Sequence, residues 1–305
     1  TEQQLDRASQ AFAASGVATA ALGGSIVALT ARFSKLGQTF QTIQTTSGAT
    51  AGEMDSIRAA AKDVSTTLPI SLRQSAEAAK QLSFAGLSAS QTMAALSETS
   101  QLAVASNLQA GQAAQTVARS LNAFELEARQ TDAVVGALGQ TFASSATNIR
   151  SLAQGLTEVQ ATANAAGLSV AETTASLGLL ASSGLAGSKA GTSLNAVLRR
   201  LTSGGGETKE ALDRLGLSMQ SFTDSSGNLQ GVSSIMATLS DRMSEAGSQA
   251  ERIQIAQQLA GSEGARALLP LIRNTDELSQ KIDQNLRAEI QGAVGDLAEM
   301  DGSRL

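Results

Sequence analysis

No histidine, cysteine, tryptophan or tyrosine occurs anywhere in the 305 residues. Without histidine the chain has no side chain that ordinarily titrates near neutral pH, and it lacks the commonest metal ligand. Without cysteine there is no thiolate nucleophile, no thiolate metal site and no disulfide, although an oxidising and a reducing compartment both remain open. A serine triad would lack its base, and no serine lies in a Gly-x-Ser-x-Gly elbow. Aromatics make up only 2%, all seven of them phenylalanine, and the only prolines are Pro69 and Pro270. Basic residues number 22 against 27 acidic ones, giving a net charge of -5. That balance argues against a large phosphate-binding surface and against sequence-specific nucleic-acid recognition.

What remains is mostly Ala, Ser, Gln, Gly, Leu and Thr. Such a composition suits helices that approach closely over small side chains better than a sheet, which needs β-branched and aromatic bulk. An all-α fold with a thin core is therefore predicted. Thr1 stands in place of an initiator methionine, as expected of a segment of a longer chain, and Glu2 and Asp6 occupy positions where a secretory leader would be basic. Ala8 to Ala31 carries no charge and is long enough to span a bilayer, but its many Ser, Thr, Gly and Ala residues insert poorly.

Leu22, Ile26, Leu29, Phe33, Leu36, Phe40 and Ile43 alternate steps of four and three, and the frame extends back through small residues to Leu5. This is a heptad seam, so residues 1–46 are predicted to form a helical arm that pairs with other helices, more firmly beyond Leu22. The competing reading is an amphipathic helix packed on its own domain.

Helices in the middle domain, residues 47–273, are punctuated by start and stop signals. Thr50 with Glu53, Ser71 with Gln74, Ser88 with Gln91 and Ser169 with Glu172 have capping-box spacing, predicting helix starts near 51, 72, 89 and 170. Gly86, Gly167, Gly184 and Gly216 follow apolar-periodic stretches, where a left-handed C-terminal residue is best supplied by glycine. Leu217, Met219 and Phe222 precede a turn-rich segment, predicting one small β-hairpin near 217–229. Residues 274–305 are predicted to form a C-terminal helical arm, with Leu278, Ile282, Leu286, Ile290 and Val294 as its apolar stripe.

Gly184 to Thr192 superficially suggests a phosphate loop, but Lys189 follows Ser188 and precedes Ala190, whereas a P-loop needs Gly-Lys followed directly by Ser or Thr, after a strand. The bland alternative is an interhelical loop whose glycines let two backbones approach. Carboxylate pairs such as Glu125 with Glu127, or Asp296 with Glu299, read as solvated charge, and no EF-hand spacing is present. No catalytic, cofactor-binding or metal-ligating residue is therefore assigned.

The ordered loops are more specific than any single motif. Leu68-Pro69-Ile70-Ser71, Phe84-Ala85-Gly86-Leu87-Ser88, Leu121-Asn122-Ala123-Phe124, the run from Gly184 through Gly187 to Ala190, Gly191 and Thr192, Leu215-Gly216-Leu217-Ser218, and Gly261-Ser262-Glu263-Gly264-Ala265-Arg266 follow one another along the chain. In this order they resemble the core region of phage tail tape measure proteins over about residues 37 to 273. Ala260 departs from that pattern, which often places an aromatic there. The resemblance implies a structural virion protein without cofactor or enzymatic activity. It implies a helical chain in the tail tube lumen that sets tail length during assembly in the host cytoplasm and leaves ahead of or with the DNA at infection. Implied partners are further copies of itself as a trimer or hexamer, distal tail, tail tip and baseplate hub proteins, the tube protein and tail assembly chaperones, with no specific nucleic acid and with host membrane contact during ejection. Two other readings stand beside it: a membrane-inserting or pore-forming helical protein acting through Ala8 to Ala31, and a phosphate enzyme built on Gly184 to Thr192.

Overall fold

The computed structural model describes residues 35–223, 229–245 and 248–302, with side chains as far as 290. The architecture is all-α, as the composition predicts. A first helix, α1, covers 35–47. It is followed by α2 (Ala51–Thr67), α3 (Leu72–Phe84), α4 (Ala89–Ala105), α5 (Ala110–Ala123), α6 (Thr131–Ser144), α7 (Ile149–Ala165), α8 (Val170–Ser182) and α9 (Ser188–Ser203). A short α10 (Glu207–Arg214), then α11 (Val232–Ser244), α12 (Gln249–Arg273) and α13 (Thr275–Gly302) complete the described chain.

Four helix starts coincide with the predicted capping boxes. Thr50, Ser71, Ser88 and Ser169 each accept from the backbone N–H three residues on, while the Glu or Gln there accepts from the cap's own N–H. Two of the four free N–H groups at each helix end are thereby satisfied locally, which fixes where α2, α3, α4 and α8 begin whatever they pack against. The stops are equally local. Gly86, Gly167, Gly184 and Gly216 all have positive φ, and in each case the following leucine N–H reaches back to a carbonyl five residues earlier. Asn107 and Glu125 take the same left-handed position without being glycine, again followed by a leucine.

These stops and starts generate a repeat. The helices α3, α5, α7 and α9 begin at Leu72, Ala110, Ile149 and Ser188, so successive starts lie 38, 39 and 39 residues apart. The helices α2, α4, α6 and α8 begin at Ala51, Ala89, Thr131 and Val170, 38, 42 and 39 residues apart, and the longest interval contains the extra 3-10 turn Ala128–Gln130. Helices of each set pack on the next of the same set, and each also packs on its hairpin partner. The domain is thus a two-layered stack of four helical hairpins, the architecture expected when a repeat near 40 residues cannot bury its apolar face alone. At the far end α9 packs on α12, while α13 crosses α6 and α8.

The core is built from small residues. In α8 every residue from Val170 to Ala181 except the capping Glu172 is buried, because α6, α7, α9, α12 and α13 surround it. Its hydroxyls need no outside partner: Thr173, Thr174 and Ser176 each donate to the carbonyl four residues earlier at 2.7–2.8 Å. Helices of this kind pack narrowly, so the scarcity of large aromatics costs little.

Two expectations change. Among the described residues of 217–229 no hairpin strands are formed: Met219–Phe222 is a 3-10 turn, and a single antiparallel bridge links Thr223 to Leu229. The physical reason lies in spacing, since Phe222 is three residues beyond Met219, a helical-turn step that buries its ring completely, whereas a strand would need a step of two. The seam positions Leu36, Phe40 and Ile43 pack on the chain's own core, with the Arg58 guanidinium of α2 5.6 Å from the Phe40 ring centroid. Leu22, Ile26, Leu29 and Phe33 lie outside the described residues. Leu278, Ile282 and Leu286 likewise pack on the domain's core, while Ile290 is exposed and Val294 lies beyond the described side chains.

Candidate functional site: a glycine-bounded helix crossing

The loop from Gly184 to Thr192 joins α8 to α9 at one edge of the stack. Gly184 (φ +88) ends α8, and the Leu185 N–H closes the turn on the Leu180 carbonyl at 2.8 Å. Gly187, at φ +64 and ψ -148, is the cap of α9, and the Gly191 N–H bonds its carbonyl at 3.2 Å. Both flanks are helical, so the strand that a phosphate loop requires is missing at this loop. Lys189 and Thr192 point into solvent, whereas Ala190 and Gly191 are buried.

What the motif builds is a contact between backbones. A Cβ on Gly191 would overlap the carbonyl oxygen of Gly155 on α7 and come within 2.8 Å of Glu158 Cβ. A Cβ on Gly155 would in turn lie 3.0 Å from the Gly187 carbonyl oxygen. On the other side of α9, Gly264 of α12 sits where a Cβ would meet Val197 N at 3.2 Å. Polar ties brace the crossing: Asn195 Nδ2 donates to the Glu158 carbonyl at 2.6 Å, and Ser193 Oγ to Glu263 Oε1 at 2.8 Å. Gly155, Gly187 and Gly191 therefore set the separation of α7 and α9, and Gly264 that of α9 and α12, whereas Gly184 only ends α8 and has open space around it. Gly155 was not singled out from the sequence; its only signal is that it is a glycine inside an otherwise good helix, which usually reflects close packing.

Other chemistry is sparse. Among the described residues no group of three or more acidic side chains is placed to hold a metal ion. Glu127 pairs with Arg129 at 2.8 Å and Glu125 occupies the left-handed position after α5, so that pair of carboxylates is accounted for locally. A polar cleft of about 280 Å³ opens between α5 and α7, lined by Gln112, Arg119, Arg150, Gln154, Thr157 and Gln160 among others.

The most unusual electrostatics lie under α13. Lys281 is buried and donates to the Ser144 carbonyl and, at 3.2 Å, to Ser145 Oγ. One turn on, Asn285 is fully buried, and its Nδ2 donates to Thr141 Oγ1, Thr174 Oγ1 and the Ala171 carbonyl at 2.8–3.2 Å. One turn further, burial pushes the Glu289 carboxyl up to about 7; a backbone hydrogen bond from Ala171 opposes the shift, and the Glu172 carboxylate adds to it. An acid whose folded pKa is raised contributes stability that is fully present below about 4.5 and is lost as pH rises through about 7. Since Glu289 is partly exposed, solvent screening reduces the effect to about 1–2 kcal/mol. Thermal melts should therefore show stability falling between about pH 4.5 and about pH 7 and levelling off above that, and Glu289→Gln should flatten that part of the profile.

Among the described residues, no helix is long and apolar enough to cross a membrane. The uncharged stretch Ala8 to Ala31 lies outside them.

Comparison with known proteins places the chain. A sequence profile of the phage-related minor tail protein family matches residues 58–261, a range that includes most of the hairpin stack and the approach of Gly155 to Gly187 and Gly191. The chain belongs to this family. Its relatives include a tape measure protein of Pneumococcus phage Dp-1, 29% identical over 272 residues, covering 87% of this chain and 23% of that protein. A probable tape measure protein of Escherichia phage P2 is 27% identical over 254 residues, covering 81% of this chain and 30% of the relative. The chain therefore spans less than a third of the length of either relative. No solved structure matches it.

Proposed function

We propose that this chain is part of a phage tail tape measure protein, a structural component of the virion that occupies the tail tube lumen, sets tail length during assembly and leaves ahead of or with the DNA. The observation that carries this reading is the family match over 58–261 together with tape measure relatives covering more than four-fifths of the chain. The composition supports it: a ruler needs length in proportion to residue count, which a helix supplies at about 1.5 Å per residue without tertiary help. Small, weakly polar side chains keep such helices narrow and limit adhesion to a tube wall.

The partners follow from that role. Several copies, as a trimer or hexamer, bundle through the part of the N-terminal seam that precedes Leu36, nucleate on the tail tip and baseplate hub, and are held by assembly chaperones in the host cytoplasm until tube protein polymerises around them. Contact with the host membrane belongs to ejection. The test is to express the tail genes with and without the complete gene that encodes this chain. With it, electron microscopy should show tails of one length; without it, tubes of no common length or no tubes at all. Tails of normal, uniform length in its absence would overturn the reading.

A further inference from the structure

The last described helix, α13, is joined to α12 by one residue. Asn274 has φ -118 and ψ 43, outside the helical region; its N–H and Nδ2 both bond the Pro270 carbonyl, at 3.1 and 2.9 Å. Residue Leu278 already bonds back to the Asn274 carbonyl at 2.9 Å, so the chain is helical on both sides of this corner. Rotating Asn274 to ordinary helical angles, about -63° and -42°, would fuse the end of α12 with α13 into one straight rod.

The groove that α13 occupies is specific. Opposite Ala288 lies Gly136 of α6, where a Cβ would stand 2.9 Å from the Ala288 carbonyl oxygen. Thr141, Ser145, Ala171 and Thr174 receive Asn285 and Lys281, Leu278 and Ile282 are buried, and α13 packs mainly on α6 and α8, with α11 beside it. The docked face is nevertheless poorly suited to permanence. Three of its inward positions, spaced by four residues, are Lys281, Asn285 and Glu289, and Asn285 Oδ1 is buried with no hydrogen-bond partner. Polar positions of this kind lower the cost of passing through water, while the fit of Gly136 to Ala288 and of the hydroxyls to Asn285 limits what can fill the groove afterwards.

We propose that α13 exchanges between two copies of this chain: Asn274 straightens, α13 and the part of α12 beyond its break at Gly261 (φ 73, ψ 172) extend as one rod, and the α13 of each copy seats in the α6–α8 groove of the other. A one-residue hinge held in a bent conformation invites this exchange, and the closed monomer and swapped dimer share every groove contact while differing at Asn274. This surface is separate from the N-terminal seam, and the inference stands whether or not the tape measure reading does.

The natural absence of cysteine makes the test direct. Gln140 on α6 and Gln284 on α13 meet at the surface, Nε2 to Oε1 at 3.3 Å. In a chain carrying Gln140→Cys and Gln284→Cys, a short bismaleimide should bridge the closed form within one chain and the swapped form between two. The expected result is a dimer in size-exclusion chromatography that yields covalent dimers on a denaturing gel. Adding Asn274→Ala, which favours the straight helix, should raise the dimer fraction about fivefold, while three glycines inserted after Asn274 should lower it. Single-cysteine variants measure bridging by chance collision. Monomers bridged only internally at all concentrations in the Asn274→Ala background, or dimers whose bridges remain within each chain, would overturn the proposal.

Discussion

Replacing Gly191 with valine is expected to lower the thermal midpoint by about 10 °C or more, the largest effect of any substitution in the family's loop motif. The clash is with backbone: the new Cβ would overlap the Gly155 carbonyl oxygen and press on Glu158 Cβ. A flexible side chain could swing away, but a carbonyl inside α7 cannot move without breaking its own helix. Overpacking a well-ordered core costs about 1–3 kcal/mol where neighbours can yield, and the cost here should be about 4 kcal/mol because they cannot. Gly191→Ala should cost only slightly less, since the first added carbon already meets the obstacle.

The neighbouring positions separate a packing role from a ligand-binding one. Gly184 has open space around it, so Gly184→Ala should cost only the price of holding a Cβ in the left-handed region, about 1–2 kcal/mol. Lys189 and Thr192 face solvent, and alanine at either should change stability by less than about 0.5 kcal/mol. Melting curves followed by circular dichroism give this ordering directly. A phosphate-binding loop would give another pattern, with phosphate or nucleotide raising the midpoint and Lys189→Ala abolishing that gain.

The local grammar of this fold is legible in the sequence. A capping box needs only a hydroxyl and a Glu or Gln three residues later, so Thr50, Ser71, Ser88 and Ser169 mark their helices whatever the tertiary structure. Gly86, Gly167, Gly184 and Gly216 mark stops for the same reason. The stacking of hairpins is harder to see, because what repeats is the position of helix ends rather than residue identity. The Gly-Leu-Ser run at 86–88 recurs at 167–169 and 216–218, but Asn107 and Glu125 hide two of the intervening stops. Long-range contacts leave the weakest trace. Nothing in the sequence pairs Gly155 with Gly191, or Gly136 with Ala288, although each pair sets a helix separation. The inward positions of α13 defeat pattern reading for another reason: Lys281, Asn285 and Glu289 look like a solvated face, and only packing on α6 and α8 buries the first two and half-buries the third.

The same geometry bears on the proposed ruler role. A stacked hairpin of about 39 residues advances a layer by only about 10 Å, whereas the same residues as one helix would span about 58 Å. Residues in the hairpin stack and residues in extended helical arms therefore contribute very differently to length if both keep these forms in the tail. The small-residue composition permits both, since alanine-rich helices are stable partners and also persist with little tertiary support.

The most direct measurement is tail length by electron microscopy across a series of in-frame deletions and duplications in the helical arms of the complete gene. Length proportional to residue count, with a slope of about 1.5 Å per residue and the same slope for both kinds of change, is the predicted result. Tails that keep their original length while the reading frame shortens and grows would contradict a ruler.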